Sequence, residues 1–221
     1  MLLVYTLFIS LLLGSASCDF FILTDYIGQR PDIIKHRSFV HPLSTSSIST
    51  YSFYTRVNNS LVFSLLTVPA TATLNNLIVY LPGGPCISLF SALFSETGPF
   101  NLVNQRPHMI SSLGSEYPIL FIDQPADTGL SISTSNDGSL TRSTEAIVDV
   151  LYQFITCFPE FSSSKIILGG SSFGIKFTSR LALELSQKFN IYGLFSGNPI
   201  ISCDVQVSSF LNFLQSYGIF K

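Results

Sequence analysis

The chain of 221 residues is long enough for one sizeable domain with a hydrophobic core. Hydrophobic residues make up 47% of it and charged residues only 11%, and the mean hydropathy is +0.45. This composition excludes an intrinsically disordered protein, because disorder needs low hydrophobicity and high net charge. The net charge is −2, so the sequence also lacks the basic surplus that binding to nucleic acid phosphates requires.

The N-terminus has the pattern of a secretory signal peptide. Residues 2–13 form an apolar run of the usual length, and Ser15 and Ser17 are small residues at positions −3 and −1 of a cleavage site. The run is shorter than the ~20 apolar residues that a membrane-spanning helix needs. We therefore expect residues 1–17 to be removed and residues 18–221 to form one domain. The protein is expected to be secreted or lumenal, with a lysosome or vacuole as candidate compartments.

Glycosylation and disulfide formation are both expected on that route. Asn58 begins an Asn-Asn-Ser sequon and is the candidate glycan acceptor. The four cysteines are Cys18, Cys86, Cys157 and Cys203. They lack the CxxC spacing of zinc sites, so no metal is expected. In an oxidising lumen they allow three pairings, and a buried free thiol is the alternative for Cys157, which lies on a helical pattern.

An antiparallel hairpin is predicted near the start of the domain. Residues 51–56 and 61–66 are rich in β-forming side chains, and the Asn-rich residues 57–60 between them are typical of a tight turn. The sequon would then lie at the exposed tip of this hairpin.

After the hairpin, apolar runs alternate with helical patterns. Four continuous runs are typical of strands buried on both faces of a parallel sheet: residues 77–81, 119–122, 166–168 and 192–195. Helical stripes occupy residues 146–158, 181–189 and 210–217. The first has Ser143 as its predicted N-cap and Pro159 as its stop, and the last ends at Gly218. This alternation predicts an α/β fold with right-handed crossovers.

A G-x-S-x-G segment follows the third of these strands. Gly170 and Gly174 flank Ser172 between a predicted strand and a predicted helix, which is the setting of a nucleophile elbow. The N-terminus of the following helix directs N–H groups toward an oxyanion. An alternative frame centred on Ser171 puts the bulky Phe173 where a small residue is needed. Ser172 is therefore the candidate nucleophile.

Four ordered motifs resemble those of the serine carboxypeptidase family, peptidase family S10 of the α/β-hydrolase superfamily. They are the oxyanion-loop sequence of residues 81–99, Asp-Gln-Pro and Gly-Leu-Ser within residues 123–131, the elbow at residues 170–174, and Gly-Asn at residues 197–198. The resemblance covers residues 51–206 and about the first half of a family member. It implies an α/β-hydrolase-type, mostly parallel sheet flanked by helices, and the release of C-terminal amino acids through an acyl-enzyme.

The resemblance also implies site residues. Ser172 would be the nucleophile, and the backbone N–H groups of Gly84 and Phe173 would form the oxyanion hole. No cofactor is implied, and the expected binding partner is the C-terminus of a peptide.

Substrate binding would involve Tyr80, Gly83 and Glu96. Where the family uses an Asn and a second Glu to hold the terminal carboxylate of the substrate, this sequence has Pro82 and Ser171. Only Glu96 retains the family's residue type among those three positions.

The chain departs from the family in its general base. The triad on this fold runs Ser, Asp, His along the sequence. The three histidines, His36, His41 and His108, all precede Ser172, and only Glu184 and Asp204 are carboxylates that follow it. None matches the family's Asp or His. We therefore expect residues 1–221 alone to be inactive as a peptidase.

The hydrolase sheet is expected to be truncated before its last strands, which leaves the strand near Leu194 as an apolar edge.

A serine carboxypeptidase family member is the leading interpretation. One alternative is a non-catalytic secreted remnant that binds a peptide or a second chain covering that edge. The other is an acyltransferase or esterase on the same scaffold.

Overall fold

The structure is a computed structural model, and it describes residues 20–134 and 138–219. The expected signal peptide at residues 1–17 and Cys18 lie outside the described residues. The strands are β1 (Ile48–Val57), β2 (Ser60–Pro69), β3 (Asn76–Leu81), β4 (Phe100–Val103), β5 (Arg106–Met109), β6 (Ile119–Ile122), β7 (Ile132–Ser133), β8 (Lys165–Ser171) and β9 (Ile191–Gly197).

Six α-helices lie within the described ranges: α1 (Pro31–Ser38), α2 (Leu89–Ser95), α3 (Leu113–Glu116), α4 (Leu140–Cys157), α5 (Gly174–Leu185) and α6 (Cys203–Ser216). Short 3-10 turns occupy Leu23–Tyr26, His41–Leu43 and Pro159–Phe161. Within residues 20–134 and 138–219, no helix is long and apolar enough to cross a membrane.

The predicted hairpin is confirmed, with longer strands than expected. β1 and β2 pair antiparallel from Ile48 opposite Pro69 to Val57 opposite Ser60, which leaves Asn58 and Asn59 as a two-residue turn. Asn58 has a φ of +50°, a left-handed conformation that asparagine tolerates better than most residues. Its side chain is exposed at the tip, and its glycosylation stays a prediction.

The central sheet is mostly parallel, as the apolar runs predict. Its strand order is β1-β2-β6-β3-β8-β9, and β7 pairs with β2. β6, β3, β8 and β9 run parallel to one another, whereas β2 pairs with β6 antiparallel. β4 and β5 form a separate antiparallel pair. The predicted α/β class is therefore confirmed.

The strand β3 shows why these runs are continuously apolar. Val79 and Leu81 pack in a cluster with side chains of α4 and α5, whereas Ile78 and Tyr80 pack in a second cluster with side chains of α2. Because both faces of β3 are covered, polar side chains would be buried on either side. Full burial stabilises by about 1.5–3 kcal/mol for each large apolar side chain.

The start of α4 differs from the prediction. The N-cap is Ser139, whose hydroxyl accepts a hydrogen bond from the Arg142 N–H at 3.3 Å, rather than Ser143. The helix begins one turn earlier than expected, and Ser143 is buried within it. Pro159 follows the helix end, as predicted.

The end of α5 also differs from the prediction. The helical stripe was expected to include Phe189, but α5 ends at Leu185. The N–H groups of Lys188 and Phe189 both donate a hydrogen bond to the Leu185 carbonyl at 2.9 Å. The Phe189 ring instead packs on Tyr152 of α4, at 4.9 Å between ring centroids.

The three described cysteines are free thiols. Cys157 is buried and Cys86 and Cys203 are exposed, so none of these three forms a disulfide with another. Burial raises the pKa of the Cys157 thiol to about 11, which keeps it protonated and unreactive. Of the two expectations for Cys157, the buried free thiol is the one observed.

Candidate active site

Ser172 lies at a sharp turn between β8 and α5. β8 ends at Ser171, α5 begins at Gly174, and Ser172 has a φ of +48°. A residue other than glycine in this region costs of the order of 1–3 kcal/mol and persists only where its surroundings hold it. Here the Ser172 N–H donates to the Gly197 carbonyl at 2.9 Å, and the Ser172 carbonyl accepts from the Ile200 N–H at 3.1 Å.

The glycines around Ser172 allow a close approach to the end of β3. A Cβ atom on Gly170 would lie 2.9 Å from the Leu81 carbonyl oxygen, and one on Gly174 would overlap the same oxygen. Both distances are below normal van der Waals contact. The small residues of the G-x-S-x-G segment are therefore required by backbone packing against β3.

The Gly83–Gly84 loop after β3 lies directly against this turn. A Cβ atom on Gly83 would lie 2.8 Å from Ser172 Cβ and 3.4 Å from the Phe173 nitrogen. Gly84 has a φ of +113°, and its peptide bond to Pro85 is cis. Among the described residues, the N–H groups of Gly84 and Phe173 have no hydrogen-bond acceptor. The structure thus brings together Gly83 and Ser172, which lie far apart in the sequence.

Tyr80, Glu96 and Ser171 meet beside the same turn. The Tyr80 hydroxyl donates to Glu96 Oε2 at 2.6 Å, and the Ser171 side chain lies beside Tyr80. Burial, followed by the hydrogen bond to Glu96 and the charge of Glu96, raises the pKa of Tyr80 far above its usual value. The phenol therefore stays protonated and remains a hydrogen-bond donor.

Sequence reasoning assigned no role to Asp123, although it opens the Asp-Gln-Pro motif. This buried carboxylate accepts hydrogen bonds from the N–H groups of Leu89 at 2.6 Å and Leu130 at 2.9 Å, and from the Ser88 hydroxyl at 3.1 Å. A Cβ atom on Gly129, which has a φ of +59°, would overlap the carboxylate. Asp123 thus joins the end of β6 to the start of α2, just after the Gly83–Gly84 loop.

The environment of Asp123 opposes its ionisation. Burial raises the pKa of its carboxyl to about 7, although the hydrogen bonds from Leu89, Leu130 and Ser88 act in the opposite direction. An aspartate within such a motif, at the end of a buried strand, is the sequence signal that could have identified this residue.

The histidines do not reach Ser172. Its hydroxyl has no hydrogen-bond partner within residues 20–134 and 138–219. His36 is exposed on α1, His41 stacks edge-on against Phe39, and His108 is exposed on β5.

The carboxylates after Ser172 are likewise placed elsewhere. Glu184 pairs with Arg180 on α5 at 2.8 Å, and Asp204 is exposed at the start of α6. Among the described residues, no group of three His, Cys, Asp or Glu side chains could hold a metal ion.

Comparison with known proteins identifies the family. The family model described as "Serine carboxypeptidase" matches residues 41–221. The chain belongs to the serine carboxypeptidase family. Its fold is that of the α/β-hydrolases, as a likeness to the solved Kex1 carboxypeptidase of Saccharomyces cerevisiae indicates: the TM-score is 0.70 at 22% identity, over 90% of this chain and 46% of that one.

Curated relatives give the same assignment. The pheromone-processing carboxypeptidase KEX1 of Zygosaccharomyces rouxii is 31% identical over an alignment of 163 positions, which covers 66% of this chain and 24% of that protein. The vitellogenic carboxypeptidase of Aedes aegypti is 30% identical over an alignment of 175 positions, which covers 72% of this chain and 36% of that protein. The chain thus matches less than half the length of each of these relatives.

Proposed function

We propose that this chain carries the nucleophile and the oxyanion hole of a serine carboxypeptidase, with Ser172 as the acylating residue. The observation that best supports this proposal is the left-handed backbone of Ser172 at the turn between β8 and α5. A strand-to-helix turn of this kind raises the serine hydroxyl above the carboxyl edge of the sheet. Attack of Ser172 Oγ on a substrate carbonyl would form the acyl-enzyme as the leaving amine departs.

The oxyanion of the tetrahedral intermediate needs N–H donors that are already in place. We assign this role to the N–H groups of Gly84 and Phe173, which have no acceptor among the described residues. The close packing of Gly83 on Ser172 supports the assignment, because it sets the loop beside the reacting hydroxyl. Loss of one such donor reduces kcat by about 10²–10³ in other hydrolases.

The proton of the Ser172 hydroxyl requires a base, and none of the residues in the described ranges 20–134 and 138–219 hydrogen-bonds to that hydroxyl. A protonated serine is a poor nucleophile at neutral pH. Loss of one triad member leaves only about 10³–10⁴-fold catalysis over water, from binding and the oxyanion hole. We therefore propose that a polypeptide of residues 1–221 is inactive as a peptidase by itself.

Tyr80, Glu96 and Gly83 are proposed to line the place of the substrate's terminal residue. Tyr80 is hydrogen-bonded to Glu96 and lies beside Ser171, the residue that precedes Ser172. This arrangement supports a substrate subsite next to Ser172 to which Tyr80 and Glu96 both contribute. An acyl ester is a second candidate substrate, and an esterase or acyltransferase a second candidate function. The presence of Ser171 and Pro82, where the family holds a carboxylate, favours this second candidate.

The N-terminal sequence supports a secretory route. The apolar residues 2–13 and the exposed sequon at Asn58 are the features of this chain that agree with it. We propose that the mature protein is secreted or lumenal and carries a glycan on Asn58.

The test is reaction of the purified chain with a serine-directed phosphonate, with and without added imidazole as an external base. We expect slow labelling of Ser172 alone, faster labelling with imidazole, and none in Ser172→Ala. The matched control Ser171→Ala should be labelled like the wild type. The site of labelling is read by mass spectrometry of peptides.

Two results would contradict the proposal in different ways. If imidazole leaves Ser172 unlabelled, or if Ser171 carries the label, the nucleophile assignment is wrong. If the chain hydrolyses peptides without imidazole, and Ser172→Ala abolishes this, the assignment stands but the expected inactivity is wrong.

A further inference from the structure

The loop of residues 198–202 lies directly beside the turn that carries Ser172. It connects the end of β9 at Gly197 to the start of α6 at Cys203. The Ile200 N–H of this loop donates to the Ser172 carbonyl at 3.1 Å. Ser172 has a φ of +48°, and a residue other than glycine keeps such a conformation only where its surroundings hold it. The position of the Ile200 N–H therefore affects the backbone of the candidate nucleophile.

Burial alone does not fix this loop. Ile201 is 65% exposed, Asn198 and Ser202 are exposed as well, and Pro199 and Ile200 are only half-buried. Asn198 has a φ of +46°, so the loop contains a left-handed residue of its own. Segments with few buried side chains are among those that open most readily. Hydrogen bonds must therefore hold the loop in place.

The side chain of Gln206 supplies three of these hydrogen bonds. Its Oε1 accepts from the Ile201 N–H at 2.8 Å and from the Ser202 N–H at 3.0 Å, and its Nε2 donates to the Pro199 carbonyl at 2.7 Å. One carboxamide thus binds backbone groups on both sides of Ile200. Glutamine can do this because its side chain carries both a donor and an acceptor.

A second side chain joins the same loop to the other side of the turn. Lys176 lies in the first turn of α5, which begins just after the elbow, and its Nζ donates to the Ile201 carbonyl at 2.7 Å. Gln206 therefore joins the loop to α6, whereas Lys176 joins it to α5. The Ile200 N–H is held between peptide groups that these two side chains bind.

We propose that Gln206 is a positioning residue for Ser172. Its carboxamide fixes the loop of residues 198–202, keeps the Ile200 N–H on the Ser172 carbonyl, and so maintains the left-handed turn that presents the hydroxyl. This inference rests on the proposed role of Ser172 as the nucleophile. Among the described residues, the Gln206 side chain bonds only to this loop, so its effect on Ser172 is indirect.

Gln206 also contributes to the start of α6. Its bond to the Ser202 N–H satisfies a backbone group at the N-cap of that helix. Loss of this cap would change helix content and stability. Loss of positioning would instead lower the reactivity of Ser172 without changing how tightly a reagent binds. The two roles are therefore separable by kinetics.

The experiment measures the rate at which a serine-directed phosphonate labels Ser172 in the presence of imidazole, as a function of phosphonate concentration. For Gln206→Leu we expect the maximal rate to fall roughly tenfold, because a misplacement of about 1 Å can cost about 10²-fold. The concentration that gives half the maximal rate should change by less than about twofold. Gln206→Glu keeps the accepting oxygen and should lie between Gln206→Leu and the wild type. Gln215→Leu, at an exposed glutamine of the same helix, is the matched control and should be labelled like the wild type.

Hydrogen exchange reports the position of the loop independently of any reaction. We expect the Ile200 amide to exchange about tenfold faster in Gln206→Leu, because its bond to the Ser172 carbonyl opens more often. The amides of β3, paired on both sides, should keep their wild-type rates. Circular dichroism and urea unfolding check each variant against Gln215→Leu. Lys176→Met removes the bond from α5 and should give the same pattern, which tests the role of the loop even if Gln206→Leu alters the helix.

Three results would overturn the proposal and leave the nucleophile assignment intact. They are wild-type labelling of Gln206→Leu, an unchanged exchange rate of the Ile200 amide, and a weaker binding of the phosphonate at an unchanged maximal rate. A wild type that is not labelled at Ser172 has a different meaning. The nucleophile assignment then fails, and the positioning role of Gln206 fails with it.

Discussion

The buried carboxyl of Asp123 should make the stability of this protein fall as the pH rises from about 4 to 7. Its pKa is raised to about 7 in the folded state, against about 3.9 for an unfolded aspartate. Between these values the folded protein binds a proton that the unfolded chain has lost. The free energy of unfolding therefore declines across this window. At 1.36 kcal/mol for each pKa unit, the full decline is about 4 kcal/mol.

Asp123→Asn removes this titration while it preserves the shape of the side chain. We expect the variant to be less stable than the wild type at pH 4 by about 1–3 kcal/mol, because its NH₂ group cannot accept the bonds that the carboxyl oxygens receive. The deficit should shrink or reverse by pH 8, where the wild type bears the buried charge. The difference between the two proteins removes the contribution of all other ionisable groups.

The assay is urea unfolding, followed by far-ultraviolet circular dichroism at several pH values between 4 and 8. Asp127→Asn removes an exposed carboxylate from the same loop and controls for the loss of one negative charge. If the wild type and Asp123→Asn differ by the same amount at every pH, the buried carboxyl does not titrate in this window and the reasoning is refuted.

Three further predictions concern the candidate site and its surroundings. Gly174→Ala should lower the free energy of unfolding by about 1–3 kcal/mol through overlap with the Leu81 carbonyl, whereas Gly193→Ala, with open space around it, should be nearly neutral in urea unfolding. Equal effects would contradict the packing argument. Ser88→Ala should cost about 1 kcal/mol in the same assay, since its hydroxyl caps α2 and donates to Asp123; an unchanged midpoint would rule this out. Asn58→Gln, expressed in a secretory host, should migrate on a gel like endoglycosidase-treated wild type; a wild type that the enzyme does not shift would show that the sequon is unused.

Local patterns in the sequence predicted the elements around the site and the position of Ser172. The Asn-rich turn at residues 57–60 predicted the hairpin, the apolar runs predicted the strands of the parallel sheet, and the glycines at 170 and 174 predicted the elbow. These features depend on side-chain period and backbone conformation over a few residues, so neighbouring residues in the chain contain the information. The N-cap of α4 was misplaced because Ser139 and Ser143 are both suitable caps, and the sequence pattern does not distinguish one helical turn from the next.

The contacts between distant residues were decided only by the tertiary structure. Tyr80 meets Glu96 at 2.6 Å, and Asp123 binds the start of α2, which lies 34 residues earlier, because β6 and β3 are neighbours in the sheet. The exposure of α6 is likewise a tertiary property, since both helices carry apolar residues at helical spacing, yet seven residues of α4 are buried and none of α6 is. Sequence periodicity shows which face of an element is apolar, whereas the packing of the whole chain determines whether that face is covered.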